Sequence, residues 1–416
     1  MEPTHVIVGA SLAGATAAMT LRDEGAKGRI IMIGAEPVLP YERPPLSKAY
    51  LRGETPFEHA PIRTSAFYAD HGIELMLGAR AVNVDTEAKS VELEDGTRVP
   101  FDRLLVTTGV RNRRLSIPGA DLDGIYSLRT VQDAARIRSD MARARRAVVV
   151  GMGFIGSEVA ASLRHAGVDV VAIEPAKTPL FRVLGEEVGQ RIAALHQAHG
   201  VRTIFGETVT AFEGTGRVSA VVTNGGERIE CDCAVVGIGV EPVVDVLEGS
   251  GVDVENGVVV DEYCRTSVEG IYAAGDVANH YHPVFKTRIR VEHWHNAIKQ
   301  GVVAARNMLG RRVQYDEVHW FWSDQYDVNL QYAGYHTSAE QIIVRGSLAA
   351  DSFLACYVND GCVDAALAFN RGRDLRRVMP LINSRRIIRP DDLRDEAVDL
   401  RSLAAATPPM NRFSLK

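Results

Sequence analysis

Residues 5–36 read HVIVGASLAGATAAMTLRDEGAKGRIIMIGAE, and residues 146–174 read RAVVVGMGFIGSEVAASLRHAGVDVVAIE. Each stretch is an apolar strand, a glycine-rich turn, an alanine-bearing helix and a second apolar strand that leads to an acid, Glu36 or Glu174. A strand that enters a helix through such a turn presents unpaired backbone N–H groups to a pyrophosphate, and the acid after the second strand suits a ribose hydroxyl. In the later copy Gly151, Gly153 and Gly156 match G-x-G-x-x-G in full, whereas in the first Ser11 takes the middle position between Gly9 and Gly14. One such motif is weak evidence. Two in one chain, each between a strand and a helix, predict an α/β protein with two Rossmann-like dinucleotide-binding domains.

Other functional classes fall away on composition. The 416 residues, 46% of them hydrophobic, allow two or three packed domains. A net charge of −6 argues against a nucleic-acid partner, which usually selects a basic surface. No apolar run reaches the roughly eighteen residues of a membrane helix, and no basic, then hydrophobic, N-terminal segment marks a secretion signal. The five cysteines, Cys231, Cys233, Cys264, Cys356 and Cys362, are odd in number and widely spaced, which fits a cytoplasmic protein.

Three further segments belong to the same frame. LLVTTG (104–109) and VVGIGVEP (235–242) read as strands that end in glycine turns. In TSVEGIYAAGDVA (266–278) a short strand ends at Gly275 and Asp276, and a helix-like stretch is expected to follow. His293 and His295 flank Trp294 without the spacing or acid cluster of a metal site, so no metal is expected.

Taken together, GASLAG (9–14), PYERPPLSK (40–48), GMGFIGSEVA (151–160), IYAAGDVA (271–278), VEHWHNAIKQG (291–301) and WFWSDQY (320–326) resemble the FAD-dependent NADH:ferredoxin reductases of oxygenase systems. These are two-dinucleotide-domain flavoproteins of the glutathione reductase fold. The resemblance covers nearly the whole chain. It implies an FAD-binding domain from 1–110 and 245–316, an NAD-binding domain at 111–244 and a C-terminal α+β domain at 317–416. FAD contacts are implied at Gly9, Ala13, Gly14, Glu36, Arg43, Lys48, Ala81, Arg129, Asp276 and Trp294. The family often carries its acid one residue earlier, at the position of Ala35. NADH contacts are implied at Gly153, Phe154, Ile155, Gly156, Glu174 and Gly239, with Glu158 near the nicotinamide. Lys48 and Glu158 are the expected tuning pair, Lys48 as the cation that stabilises a reduced flavin. Trp320 and Trp322 are expected beside the flavin, where they could stack, exclude water or border a docking face. The implied acceptor is a 2Fe-2S ferredoxin that serves an oxygenase, with the chain itself a monomer or weak dimer.

The residues also say where electrons cannot rest. PYERPPLSK contains no cysteine, and Cys231 and Cys233, two apart on an expected strand, are poorly placed for a disulfide. The cysteine spacing fits no Fe–S cluster. Electrons must then leave the chain. Residues 371–389 hold seven arginines, Arg371, Arg373, Arg376, Arg377, Arg385, Arg386 and Arg389, against one acid, Asp374; Lys286, Arg288 and Arg290 form another basic run. Such patches steer an acidic partner or form solvated faces paired with DDLRDE (391–396). An NADH oxidase or quinone reductase, and a redox-sensing flavoprotein of the apoptosis-inducing-factor kind, are the alternative functions.

Glu174 sets the nucleotide choice. A carboxylate accepts both ribose hydroxyls of NADH and repels a 2′-phosphate by about 1–4 kcal/mol in partly solvated surroundings. Glu174→Arg is expected to shift the ratio of specificity constants toward NADPH; steady-state kinetics with both nucleotides checks this, and an unchanged ratio removes the assignment.

Overall fold

The computed structural model describes residues 2–405. These divide into two compact units, one of residues 2–42, 57–111 and 240–319, the other of 43–56, 112–239 and 320–405.

The first unit is built on a five-stranded parallel sheet in the order Ile271–Ala273, Arg103–Val106, His5–Val8, Ile30–Gly34, Ile73–Leu77. Register is set by pairs such as Val6↔Ile31 and Val6↔Leu104. The central strands are apolar without alternation because both faces are covered, and Val6, Ile7, Ile30 and Leu105 have no exposed surface. Helix Leu12–Asp23 lies against helix Trp294–Met308, so closely that a Cβ on Gly301 would fall 2.7 Å from the Ala13 carbonyl. The stretch after Asp276 corrects one expectation. It is not helical: a 3-10 turn at Gly275–Val277 leads into strand Ala278–His282, which pairs with Val258–Val260 and Thr287–Arg290.

The second unit holds another five-stranded parallel sheet, ordered Arg202–Phe205, Asp169–Glu174, Arg146–Val150, Cys233–Val236, Ile125–Tyr126. It also holds an antiparallel sheet ordered Trp320–Gln325, Val328–Gly334, Cys362–Phe369, Phe353–Asn359, Gln341–Gly346. Helix Phe181–Ala198, broken at Gly185, packs Leu184, Val188, Ile192 and Leu195 against Leu330, Tyr357 and Leu367 of that antiparallel sheet. Strand Trp320–Gln325 alternates, with Phe321, Ser323 and Gln325 buried and Trp320, Trp322 and Asp324 half-exposed. Among the described residues no helix is long and apolar enough to cross a membrane.

His280, His282 and His319 lie fully buried near one another in the first unit, with ring centres 5.6 Å apart for His280–His282 and 6.1 Å for His282–His319. Burial holds all three imidazoles below their ordinary value, His280 at about 3. The unfolded chain binds these protons near pH 6.5 and the folded one does not, so their contribution to stability is whole above about pH 6.5 and falls as the pH drops below it. Thermal unfolding between pH 7.5 and 4.5 should show Tm falling on the acid side, with a smaller fall in His280→Phe.

Candidate functional site

The two glycine turns are built alike. A Cβ on Gly14 would lie 2.1 Å from the Gly9 carbonyl, and one on Gly156 1.9 Å from the Gly151 carbonyl, so each helix meets its turn at a distance that only glycine permits. Neither Ser11 nor Gly153, the residues preceding the two helices, supplies a side-chain cap, which leaves the first N–H groups available to an anion. A Cβ on Gly153 would meet nothing within 4 Å, so there is open space where a pyrophosphate would approach. Both turns therefore fit a dinucleotide.

In the first unit a Cβ on Gly275 would fall 3.0 Å from the Ala13 Cβ, so Ala13 packs close against this glycine, next to Asp276. Trp294 opens its helix, and its indole N–H donates to Glu42 at 2.8 Å. Glu36 accepts the Tyr41 hydroxyl at 2.6 Å just beyond strand Ile30–Gly34. Ala81, half-buried, begins the strand that pairs with Ser90–Leu93.

The other expected residues belong to the second unit. Arg43 donates to the Arg129 carbonyl at 2.6 Å. Phe154 stacks edge-on against Phe321, Ile155 is 46% exposed at the helix start, and Gly239 takes a positive φ after strand Cys233–Val236. The carboxylate of Glu174 reaches back to its own glycine turn, accepting the N–H of Met152 at 2.7 Å and of Ala176 at 2.9 Å. Trp320 and Trp322 sit half-exposed with ring centres 6.0 Å apart.

Lys48 and Glu158 come together. Pro44–Ser47 forms a 3-10 turn that places Lys48 Nζ 2.6 Å from Glu158 Oε2. Glu158 lies on helix Phe154–His165, with its side chain 3% exposed. Its Oε2 also accepts the Ser47 hydroxyl at 2.5 Å, and its Oε1 the Ser323 hydroxyl at 2.6 Å. Ser162 donates to the Ser47 carbonyl at 2.7 Å and so fixes the turn. Sequence reading missed Ser47 and Ser323, because they lie 111 and 165 residues from Glu158 and no local spacing links them.

All five cysteines are buried. Burial pushes the Cys231, Cys233 and Cys356 thiols up to about 12. Cys231 precedes strand Cys233–Val236 rather than sharing it. Among the described residues no group of His, Cys, Asp or Glu could hold a metal ion.

The arginine-rich segment forms helix Gly372–Ser384 and its continuation. Arg371 pairs with Asp374 and Glu396, Arg377 with Asp374, and Arg385 with Asp364. Among the described residues Arg373 and Arg376 meet no carboxylate, and with Arg377 and Arg401 they line an open groove of about 690 Å³. In the second basic run Arg288 donates to the Val260 carbonyl and Arg290 pairs with Glu292, while Lys286 is exposed.

Two parallel sheets, each delivering a glycine turn to an open helix N-terminus, define a dinucleotide-dependent oxidoreductase. The pyridine nucleotide-disulphide oxidoreductase family matches residues 3–301 and a reductase C-terminal domain matches residues 320–404, and the chain belongs to that family. It is 39% identical over 401 residues to the ferredoxin–NAD(+) reductase component of the anthranilate 1,2-dioxygenase system of Burkholderia cepacia, covering 95% of this chain and 98% of that one. It is 38% identical over 398 residues to the rhodocoxin reductase of Rhodococcus erythropolis, covering 95% and 93%. The solved covalent complex of putidaredoxin reductase with putidaredoxin superposes with a TM-score of 0.94 at 34% identity, covering 97% of this chain and 98% of that one. The cofactors are FAD and NADH.

The two glycines of the second turn separate fold from binding. Gly153→Ala should leave Tm within about 1 °C and weaken NADH binding, while Gly156→Ala should lower Tm by several degrees because the Gly151 carbonyl must move. Calorimetry and NADH titration of both variants check this.

Proposed function

We propose that the chain is the FAD-containing, NADH-dependent ferredoxin reductase of an oxygenase system: hydride passes from NADH to FAD, then single electrons go to a 2Fe-2S ferredoxin that feeds a cytochrome monooxygenase or a Rieske dioxygenase. The Lys48–Glu158 pair carries the reading, because the half-buried Lys48 of PYERPPLSK meets the buried Glu158 carboxylate, and that stretch has no thiol to receive electrons. The relatives named as ferredoxin–NAD(+) reductases support it.

Bound FAD supplies the change from two-electron to one-electron transfer. The chain's own residues bind and orient. Gly9, Ala13, Gly14, Glu36, Ala81, Asp276 and Trp294 hold FAD, together with Arg43, Lys48 and Arg129. Gly153, Phe154, Ile155, Gly156, Glu174 and Gly239 hold NADH. Lys48 stabilises negative charge that develops on the reduced ring, and Glu158 fixes the lysine and balances its charge before NADH arrives. Trp320 excludes water from the reacting face. The FAD domain is 1–110 with 245–316, the NAD domain 111–244 and the C-terminal domain 317–416. The site of action is the cytoplasm. Arg373 and Arg376, free of carboxylates among the described residues, offer the acidic ferredoxin its dock, a choice that the Arg377–Asp374 pair favours over Arg377.

NADH-driven cytochrome c reduction by the FAD-loaded protein, with and without a small 2Fe-2S ferredoxin, tests the reading. Ferredoxin should stimulate the rate manyfold. The double variant Arg373→Glu, Arg376→Glu should raise the ferredoxin KM several-fold and flatten its salt dependence at unchanged NADH KM. Fast NADH oxidation that ignores ferredoxin would make the protein an oxidase or quinone reductase.

A further inference from the structure

Glu158 has a second set of partners beyond Lys48. Ser323 and Gln325 lie two residues apart on one face of strand Trp320–Gln325, and His196 comes from helix Phe181–Ala198; none of the three side chains has exposed surface. Gln325 Nε2 is 3.2 Å from Ser323 Oγ, Gln325 Oε1 is 3.0 Å from His196 Nε2, and His196 Nδ1 is 3.0 Å from the Tyr326 hydroxyl. Four side chains thus run in series from the carboxylate to the hairpin turn.

The order of donors in this series is forced. Ser323 has one proton, and it goes to Glu158 Oε1. Its oxygen must therefore accept, and the only group facing it along the chain is the Gln325 amide nitrogen. That choice turns the Gln325 carbonyl toward His196, so Nε2 of the imidazole must carry the hydrogen. Burial lowers His196 to about 4, which keeps the ring neutral with a single N–H. Nδ1 is then an acceptor and takes the Tyr326 hydroxyl. Every proton points toward Glu158, and reversing any one link would set two donors or two acceptors against each other in a buried place. The outer end is anchored. Tyr326 sits at φ 57°, a left-handed conformation costly for an aromatic residue, and stacks on His199 with ring centres 3.7 Å apart. The other titratable groups facing this end are His199 beside His196 and Arg164 beside Tyr326.

We propose that Ser323, Gln325, His196 and Tyr326 form a one-directional hydrogen-bond chain whose task is to hold the Glu158 carboxylate in the orientation that meets Lys48. They are positioning residues, and the proposal rests on the role given above to the Lys48–Glu158 pair. The chain does not conduct protons, because the Gln325 amide would have to pass through its imidic form. Nor does it need an imidazole as such: the side-chain amide of a glutamine at position 196 also offers an N–H donor to Gln325 and an oxygen acceptor to Tyr326.

The experiment is made on the FAD-loaded protein with five variants. Nitrogen-15 NMR of His196 at neutral pH should show the neutral ring with its hydrogen on Nε2; a hydrogen on Nδ1, or a charged ring, overturns the chain. Gln325→Leu and His196→Leu should lower kcat about tenfold with NADH KM within about twofold, as expected when a reacting group loses its orientation rather than its ligand. Tyr326→Phe, which removes only the outermost donor and should fold normally, should show a smaller fall in the same direction. His196→Gln should restore kcat to within about twofold of the parent; a His196→Gln protein as slow as His196→Leu overturns the proposal. Glu158→Gln separates the two claims. A normal kcat in that variant removes the role given to the Lys48–Glu158 pair. If His196→Leu is slow while Glu158→Gln is normal, the chain does not act through Glu158 and the proposal fails; if His196→Leu is normal while Glu158→Gln is slow, the proposal alone fails; if both are normal, the role of the Lys48–Glu158 pair and the task given to the chain fail together.

Discussion

A carboxylate with 3% of its side chain exposed dictates much of the second unit. An ionised group in such a place costs several kcal/mol unless it is paired and its lone pairs are met, and removing one partner of a buried pair typically costs about 3–5 kcal/mol. Glu158 is met by Lys48 and by two hydroxyls, Ser47 and Ser323. These partners come from a proline-led turn and an antiparallel strand and meet Glu158 on its helix, so the full set of contacts forms only when all three elements are in place. A one-residue slip of strand Trp320–Gln325 would turn Ser323 and Gln325 outward and bring Trp322 and Asp324 in. The inward Phe321 resists that slip by packing edge-on against Phe154, one helical turn before Glu158.

The helix Phe181–Ala198 serves two purposes for the same reason. Its apolar residues seal the antiparallel sheet, and its last turn carries the one polar side chain, His196, that the buried Gln325 can meet. A polar group in that position would be costly alone. It is tolerated because each of its nitrogens has a partner. Packing and polar satisfaction are therefore one constraint here.

What the sequence made legible was local. Each glycine turn, its strand and its helix lie within about thirty residues, and their order alone announces the parallel sheets. The stretch after Asp276 was misread because ANHYH carries two histidines and an asparagine, which do not look like a strand; in the fold those side chains are buried against neighbours that only the tertiary structure supplies. The arginine segment misleads in the opposite sense. Counted along the chain it opposes seven cations to one acid, yet Arg371 and Arg385 find Glu396 and Asp364 across the fold. Arg373 and Arg376, which meet no carboxylate among the described residues, keep the character that the count assigned to all seven. The partners of Glu158 were beyond reach for the same reason: a serine is unremarkable until a carboxylate is placed beside it.

The loop that poses the electron problem also answers it. Where a thiol pair would need a polarised, partly exposed setting to form a thiolate, PYERPPLSK supplies a proline turn that aims a hydroxyl and an ammonium at one buried acid. The cysteines elsewhere are no substitute: Cys231, Cys233 and Cys356 are buried, with thiols pushed up to about 12, so they stay protonated near neutral pH. A chain that can fix charge beside its nucleotide frames but cannot store a pair of electrons in its own sulfur has to hand them on. The family's nucleotide-binding architecture is kept, while the loop PYERPPLSK, which has no cysteine, contributes an ion pair to Glu158 instead of a thiol.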